Sequence, residues 1–171
     1  MKTYLIPAEC HNAFRFPSIH FKGNDHFRFE VQLDCSMRYR LLDSENQYDI
    51  NKIYGYGFGF NHHWNSIRIG WTWNLHTKKA DIYAYCYNQG ERQHSLIHSC
   101  GCASKLMFDI KRVKFAEGYK WVIVIVENNI SYTKYVDAPI NPANWGFRLF
   151  PYFGGQDTAP HDIEFKIKEL I

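Results

Sequence analysis

The stretch Tyr54–Asn74, YGYGFGFNHHWNSIRIGWTWN, decides the fold. In its first half Gly55, Gly57 and Gly59 alternate with Tyr56, Phe58 and Phe60, which is the period of a β-strand. In its second half Ile67, Ile69, Trp71 and Trp73 alternate with Ser66, Arg68, Gly70 and Thr72, giving a second strand. The polar segment Asn61–Asn65 joins them, so the pair reads as a hairpin with His62, His63 and Trp64 near its tip. A strand face made of glycine is weak unless something must approach its backbone closely. Packed aromatics from a facing sheet are the favoured occupant, and a bound ligand is the alternative.

Outward from this hairpin the same rhythm recurs. On the N-terminal side, Thr3–Ile6 is a short edge strand stopped by Pro7, Phe14, Phe16 and Pro17 form an unassigned segment, and Gly23-Asn24-Asp25 is a turn. Phe27, Phe29, Val31 and Leu33 then alternate with Arg28, Glu30, Gln32 and Asp34, a half-exposed strand. Met37–Leu42 is a further expected strand, followed by a polar loop over Asp43–Asn51. On the C-terminal side, Ala80–Tyr87 places Ile82, Ala84 and Cys86 on one face and Tyr83, Tyr85 and Tyr87 on the other. Three tyrosines on one face make either a cross-strand ladder, the favoured reading, or a binding platform. Strands are also expected over Arg92–Ser99 and Leu106–Phe115, the latter also carrying a helical spacing.

Gly118 opens Tyr119–Glu127, which reads as a strand buried on both faces, and Asn128-Asn129 reads as a tight connection to Ile130–Val136. A loop with Pro139 and Pro142 spans Asp137–Trp145, and strands follow over Phe147–Phe153 and Asp162–Ile171, the last with Ile163, Phe165 and Ile167 facing in. Short strands at regular spacing, with 18% aromatic residues, indicate an all-β chain with little or no helix: a single β-sandwich or jelly-roll domain over residues 1–171.

The formal charge is only +3, so no strong polyanion-binding field is expected beyond a local patch, and nucleic acid is not the anticipated main partner. The N-terminus has no apolar signal-peptide core, and the longest apolar run is too short to span a bilayer, which predicts a protein made in a cytoplasm with no membrane partner. The five cysteines, Cys10, Cys35, Cys86, Cys100 and Cys102, are an odd number, and reduced thiols are expected.

Several constellations bear on chemistry. His94, His98, Cys100 and Cys102 are zinc-ligand types, but their spacing departs from structural zinc sites and an ordinary loop is expected. Adjacent His62 and His63 on a loop rarely converge on one ion. Asp157 and Asp162 offer hard oxygens of the kind calcium takes, against the favoured reading of an Asx turn. No metal or other cofactor is therefore expected, with calcium as the one alternative.

Glycoside hydrolysis needs paired carboxylates facing a groove, and Glu30 with Asp34 looks like a solvated strand face. Tyr87-Asn88-Gln89 is similar to one tyrosine motif of jelly-roll alginate lyases, whose companion motifs are missing here. No catalytic residue is assigned. What remains is a surface of His62, His63, Trp64, Asn65, Arg68, Trp71, Trp73, Tyr83, Tyr85 and Tyr87, suited to stacking on sugars or to forming a protein interface.

GFGFNHHWNSIRIGW (57–71) and LFPYFGGQDTAPHDIEFKI (149–167) resemble segments of small, largely uncharacterised proteins of Bacteroidetes and of their crAss-like tailed phages, with a concanavalin A-like jelly-roll pattern. The resemblance implies a non-catalytic binding or assembly role. The expected setting is a virion assembled in the bacterial cytoplasm, as a capsid decoration, fibre-associated or tail component partnered by other virion proteins or by further copies of itself. A lectin-like carbohydrate-binding module is the alternative, and a polysaccharide lyase or glycoside hydrolase the third reading. Gly154, Gly155, Asp157, Pro160, His161 and Asp162 in the second segment are expected to shape and lock a structural loop before the last strand.

Overall fold

In the computed structural model, which describes residues 1–13, 18–20, 25–137 and 145–170, the alternating segments become strands of two antiparallel sheets. The described residues contain β1 (Lys2–Ile6), β2 (Ser18–His20), β3 (His26–Leu33), β4 (Asn51–Phe58), β5 (Asn65–Asn74) and β6 (Lys79–Asn88). They continue with β7 (Glu91–Cys100), β8 (Lys105–Phe115), β9 (Gly118–Glu127), β10 (Ile130–Val136), β11 (Gly146–Leu149) and β12 (Ile163–Leu170). One sheet has the order β1-β12-β3-β8-β9-β10, and the other has β2-β11-β4-β5-β6-β7. The protein is an all-β sandwich, as the strand rhythm predicts. Phe14, Phe16, Pro17, Gly23, Asn24, Pro139 and Pro142 lie outside the described residues.

Aromatic side chains join the sheets. Phe27 of β3 meets Tyr56 of β4 at 4.4 Å between ring centres, and Phe29 meets Tyr54 at 5.0 Å. Trp71 of β5 meets Phe165 of β12 at 5.8 Å, and Phe58 of β4 meets Trp121 of β9 at 5.9 Å. Trp71 and Trp121 are completely buried. Rings of this size carry much of the hydrophobic driving force, and their tilted and edge-on contacts add to it.

Turn residues behave as their chemistry demands. Asn128 and Asn129 both take positive φ in the β9–β10 hairpin, and Gln89 with Gly90 does the same between β6 and β7. Leu106–Phe115 is strand, within β8.

Several expectations are corrected. Met37–Leu42 is not a strand: Cys35–Met37 is a 3-10 turn, capped by the Asp34 carboxylate, which accepts from the Ser36 amide at 2.8 Å. The backbone beyond it is satisfied by a side chain instead of a neighbouring strand, since the Leu41 amide donates to Gln47 Oε1 at 2.8 Å. β9 is not buried on both faces, because Val124 and Val126 are only half-buried on the outer side. Phe60 falls beyond β4 and is almost fully exposed, with Trp145 beside it. β11 ends at Leu149, and the chain then runs irregularly to β12.

The thiols are not all reduced. Cys35 and Cys102 form a disulfide across 67 positions of sequence, while Cys10, Cys86 and Cys100 are free. The pairing brings the 3-10 turn against the β7–β8 connection, a proximity created by the tertiary fold. No helix among the described residues is long and apolar enough to cross a membrane.

Candidate functional site: a cationic cleft walled by aromatic rings

The second sheet turns one face to the core and the other away from the first sheet. Cross-strand pairing puts Gly55, Arg68, Tyr85 and His94 in one row, and Gly57, Ser66, Tyr87 and Arg92 in the next. These rows face away from the first sheet, so the glycines are not a seat for its aromatics. A Cβ on Gly55 would lie 2.6 Å from Arg68 Cα and 2.9 Å from Arg68 Cγ, and against the Ile67 carbonyl oxygen. On Gly57 it would lie 3.0 Å from His62 Cβ and 3.3 Å from the Phe147 ring. The glycine face exists because the Arg68 stem and the hairpin loop lie down on it.

Above these rows is a cleft of about 880 Å³. Arg68, Tyr85 and Tyr87 line it together with Phe147 and Leu149 of β11, His62 and His63 of the hairpin loop, and the Phe150–Tyr152 segment. Asn12, Ala13, Lys52 and Arg148 complete the lining. A smaller recess of about 180 Å³ adjoins it across Lys52 and Tyr85, bordered by Asp49, Tyr83, Arg92 and His94. The His63 and Tyr87 rings stack at 5.0 Å, and Tyr85 meets Tyr87 edge-on at 5.8 Å.

Lys52 reaches the cleft through a β-bulge. The β4–β5 register slips between Lys52 and Tyr54, so both Ile53 and Tyr54 enter the core while Lys52 points outward. Its ammonium lies 4.6 Å from the centre of the Tyr85 ring and 5.8 Å from that of Tyr152. Burial, with Arg68 close by, pulls Lys52 down to about 8. Arg68 is 7% exposed; its Nη2 donates to the Phe150 carbonyl at 3.1 Å, and its Nε has no partner. Burial pulls its guanidinium down to about 10, which leaves it charged at neutral pH. Burial also lowers His62 to about 4, aided by His63, Arg68 and Lys52, so that ring is neutral. Burial and a contact with Tyr87 push the Tyr85 phenol up to about 12, keeping its hydroxyl protonated.

Of the surface residues expected to bind, the structure gathers His62, His63, Arg68, Tyr85 and Tyr87 in the main cleft and Tyr83 in the adjoining recess. It removes Trp71 and Trp73, which are core residues, because they share the face of β5 that Ile67 and Ile69 turn to the first sheet. Trp64 is exposed and packs on Gly90, and the Asn65 side chain accepts the Gln89 amide at 3.1 Å to fasten the neighbouring turn. Lys52, Phe147, Phe150 and Tyr152 were missed.

The FGG…APHDI segment is pinned at several points. The Gly154 amide donates to Asn51 Oδ1 at 2.7 Å, and Gly155 takes positive φ against Asp49. Asp157 accepts from the Asn46 side chain at 3.1 Å, and Asp162 accepts from the Ala8 amide at 2.8 Å. His161 Nε2 donates to the Ser36 carbonyl at 2.6 Å, and Pro160 follows Ala159, whose carbonyl accepts from the Glu9 amide at 2.8 Å. These bonds hold the loop beside the cleft.

The His/Cys group separates. Cys102 is in the disulfide and His94 faces the recess, whereas His98 and Cys100 point inward to meet Glu127 of β9. The ligand atoms of these three residues lie within 4.8 Å of one another. His98 Nε2 and Glu127 Oε2 are already hydrogen-bonded at 2.8 Å, which satisfies the two groups without an ion. Glu30 pairs with Lys105 at 3.2 Å, an ordinary ion pair on the outer face of the first sheet.

No protein-family model matches the chain, and a search of curated proteins found no significant match.

Proposed function

We propose that this protein is a binding module whose open cleft takes a glycan. The observation that carries this reading is the cleft itself, an 880 Å³ concavity on the exposed sheet face in which the Tyr85, Tyr87, Tyr152 and His63 rings stand beside Arg68, Lys52 and Asn12. Ligand sites combine an aromatic or apolar lining with a few placed polar groups, and volumes of roughly 300–1,000 Å³ are usual. Sugar rings suit such a lining, because their C–H faces stack on aromatics while their hydroxyls take hydrogen bonds. One further point supports binding over hydrolysis. The described lining contains no Asp or Glu, and paired carboxylates are what glycosidases use.

The test is a glycan array followed by calorimetry on the best ligand. Binding that falls at least about tenfold in Tyr87→Ala, a substitution that removes a stacking platform, is the expected result. Binding unaffected by Tyr87→Ala and Tyr85→Phe would move the site elsewhere.

Assembly with like copies or other virion proteins is the second reading. It draws on β10, which ends its sheet and exposes Ile130, Tyr132 and Tyr135. An open edge with apolar side chains is a template for pairing with another chain. Light scattering tests it: a defined oligomer that Tyr135→Lys dissolves supports it, and a monomer at high concentration refutes self-assembly.

A further inference from the structure

Arg68 is a buried cation without a counter-ion. It sits at the floor of the cleft, 7% exposed, with one hydrogen bond to a neutral carbonyl and its Nε unpartnered. Lys52 lies close by, held over two tyrosine rings. Among the described residues, no carboxylate comes within ion-pair distance of either. Segments 14–17, 21–24 and 138–144 contain neither Asp nor Glu, so they hold no acidic side chain that could answer them. Leaving a buried charge uncompensated is strongly destabilising, and proteins ordinarily supply a partner or avoid the burial.

Here the local sequence does the reverse. Gly55 gives up a side chain so that the Arg68 stem can lie across β4, and the bulge at Ile53 turns Lys52 outward to the same place. Burial and their mutual repulsion lower the proton affinity of Lys52, which is the signature of a positive field awaiting an anion. Guanidinium presents a planar fork suited to carboxylates and other oxyanions, and ammonium adds a mobile point charge.

We infer that the cleft selects an acidic glycan, one whose carboxylate or sulfate seats against Arg68 and Lys52 while its sugar ring lies on Tyr85 and Tyr87. This rests on the glycan reading of the cleft and narrows it to one charge class. Oligomers longer than one sugar can continue past Lys52 and Tyr85 toward Arg92 and His94 in the adjoining recess.

The test is calorimetric titration of the full chain with four probes: oligogalacturonate, its methyl ester, a sulfated oligosaccharide and a neutral glucan. The expected result is that an anionic probe binds and that esterification weakens the uronate by at least about 30-fold, the usual consequence of removing one member of a buried charge pair. Arg68→Met should lose a similar factor for the anionic probe while melting no lower than the wild type, since it removes an unpaired buried charge. Lys52→Met is the second variant and should lose about tenfold, with salt weakening what remains. A uronate preference identifies carboxylate as the anion, and a sulfate preference identifies the sulfate ester. Neutral glucan or methyl ester bound as tightly as the acids overturns this inference and leaves glycan binding standing. No binding by any probe or array sugar overturns both.

Discussion

Lys52 gives the sharpest quantitative expectation. Its ammonium ordinarily titrates at 10.5 and in the fold at about 8, because it is buried beside Arg68. Between those values the unfolded chain holds the proton and the folded one does not, so stability rises with pH across the window and the penalty is fully present below it. At about 1.4 kcal/mol per pH unit, the gap is worth about 3 kcal/mol. Replacing the lysine by methionine removes the penalty, offset by about 0.5–1 kcal/mol for the lost contact with the Tyr85 ring.

The variant Lys52→Met should therefore be more stable than wild type by about 2 kcal/mol near neutral pH, and the advantage should vanish by about pH 10. The difference between the two proteins is the quantity to measure. Cys86 and Cys100, both pushed up to about 12 by burial, and the buried Tyr39 and Tyr54, whose phenols are also raised, lower stability at alkaline pH in both proteins alike. Urea unfolding followed by tryptophan fluorescence at a series of pH values supplies the numbers. A difference independent of pH, or a variant less stable at neutral pH, would refute the account of Lys52 as a buried cation without a direct ion pair.

Three other substitutions test the frame around the cleft. Gly55→Ala should cost about 1–3 kcal/mol in the same unfolding assay, because its Cβ meets the Ile67 carbonyl and Arg68 Cα, which are backbone atoms that cannot rotate away. Asn51→Ala should cost about 1–3 kcal/mol and speed hydrogen exchange at the Gly154 amide, since Asn51 Oδ1 accepts from that amide and Nδ2 donates to the Tyr39 hydroxyl at 3.0 Å. Cys102→Ser opens a cross-link over 67 positions and should lose up to about 4 kcal/mol by loop-closure entropy, with a melting temperature that no longer responds to reductant.

The two-sheet architecture is legible in the residue pattern alone, for a local reason. A period of two marks a strand wherever one face is buried, and β3 and β12 each bury the alternate set that their patterns name. Glycine and asparagine at the turns before β7 and β10 marked positive φ, which is also a local property. Period two says that two faces differ without saying which is the core, and the packing of the two sheets makes that choice. Trp71 and Trp73 look like good stacking residues but face inward, while the glycines of β4 face outward under Arg68.

Lys52 belongs to the cleft only because a bulge shifts its register, and no periodic pattern contains that bulge. Phe147 and Tyr152 arrive from nearly a hundred residues downstream, and Cys35 finds Cys102 across the sandwich edge. The site is assembled from segments distant in sequence, and only the packing of the chain sets the distances between them.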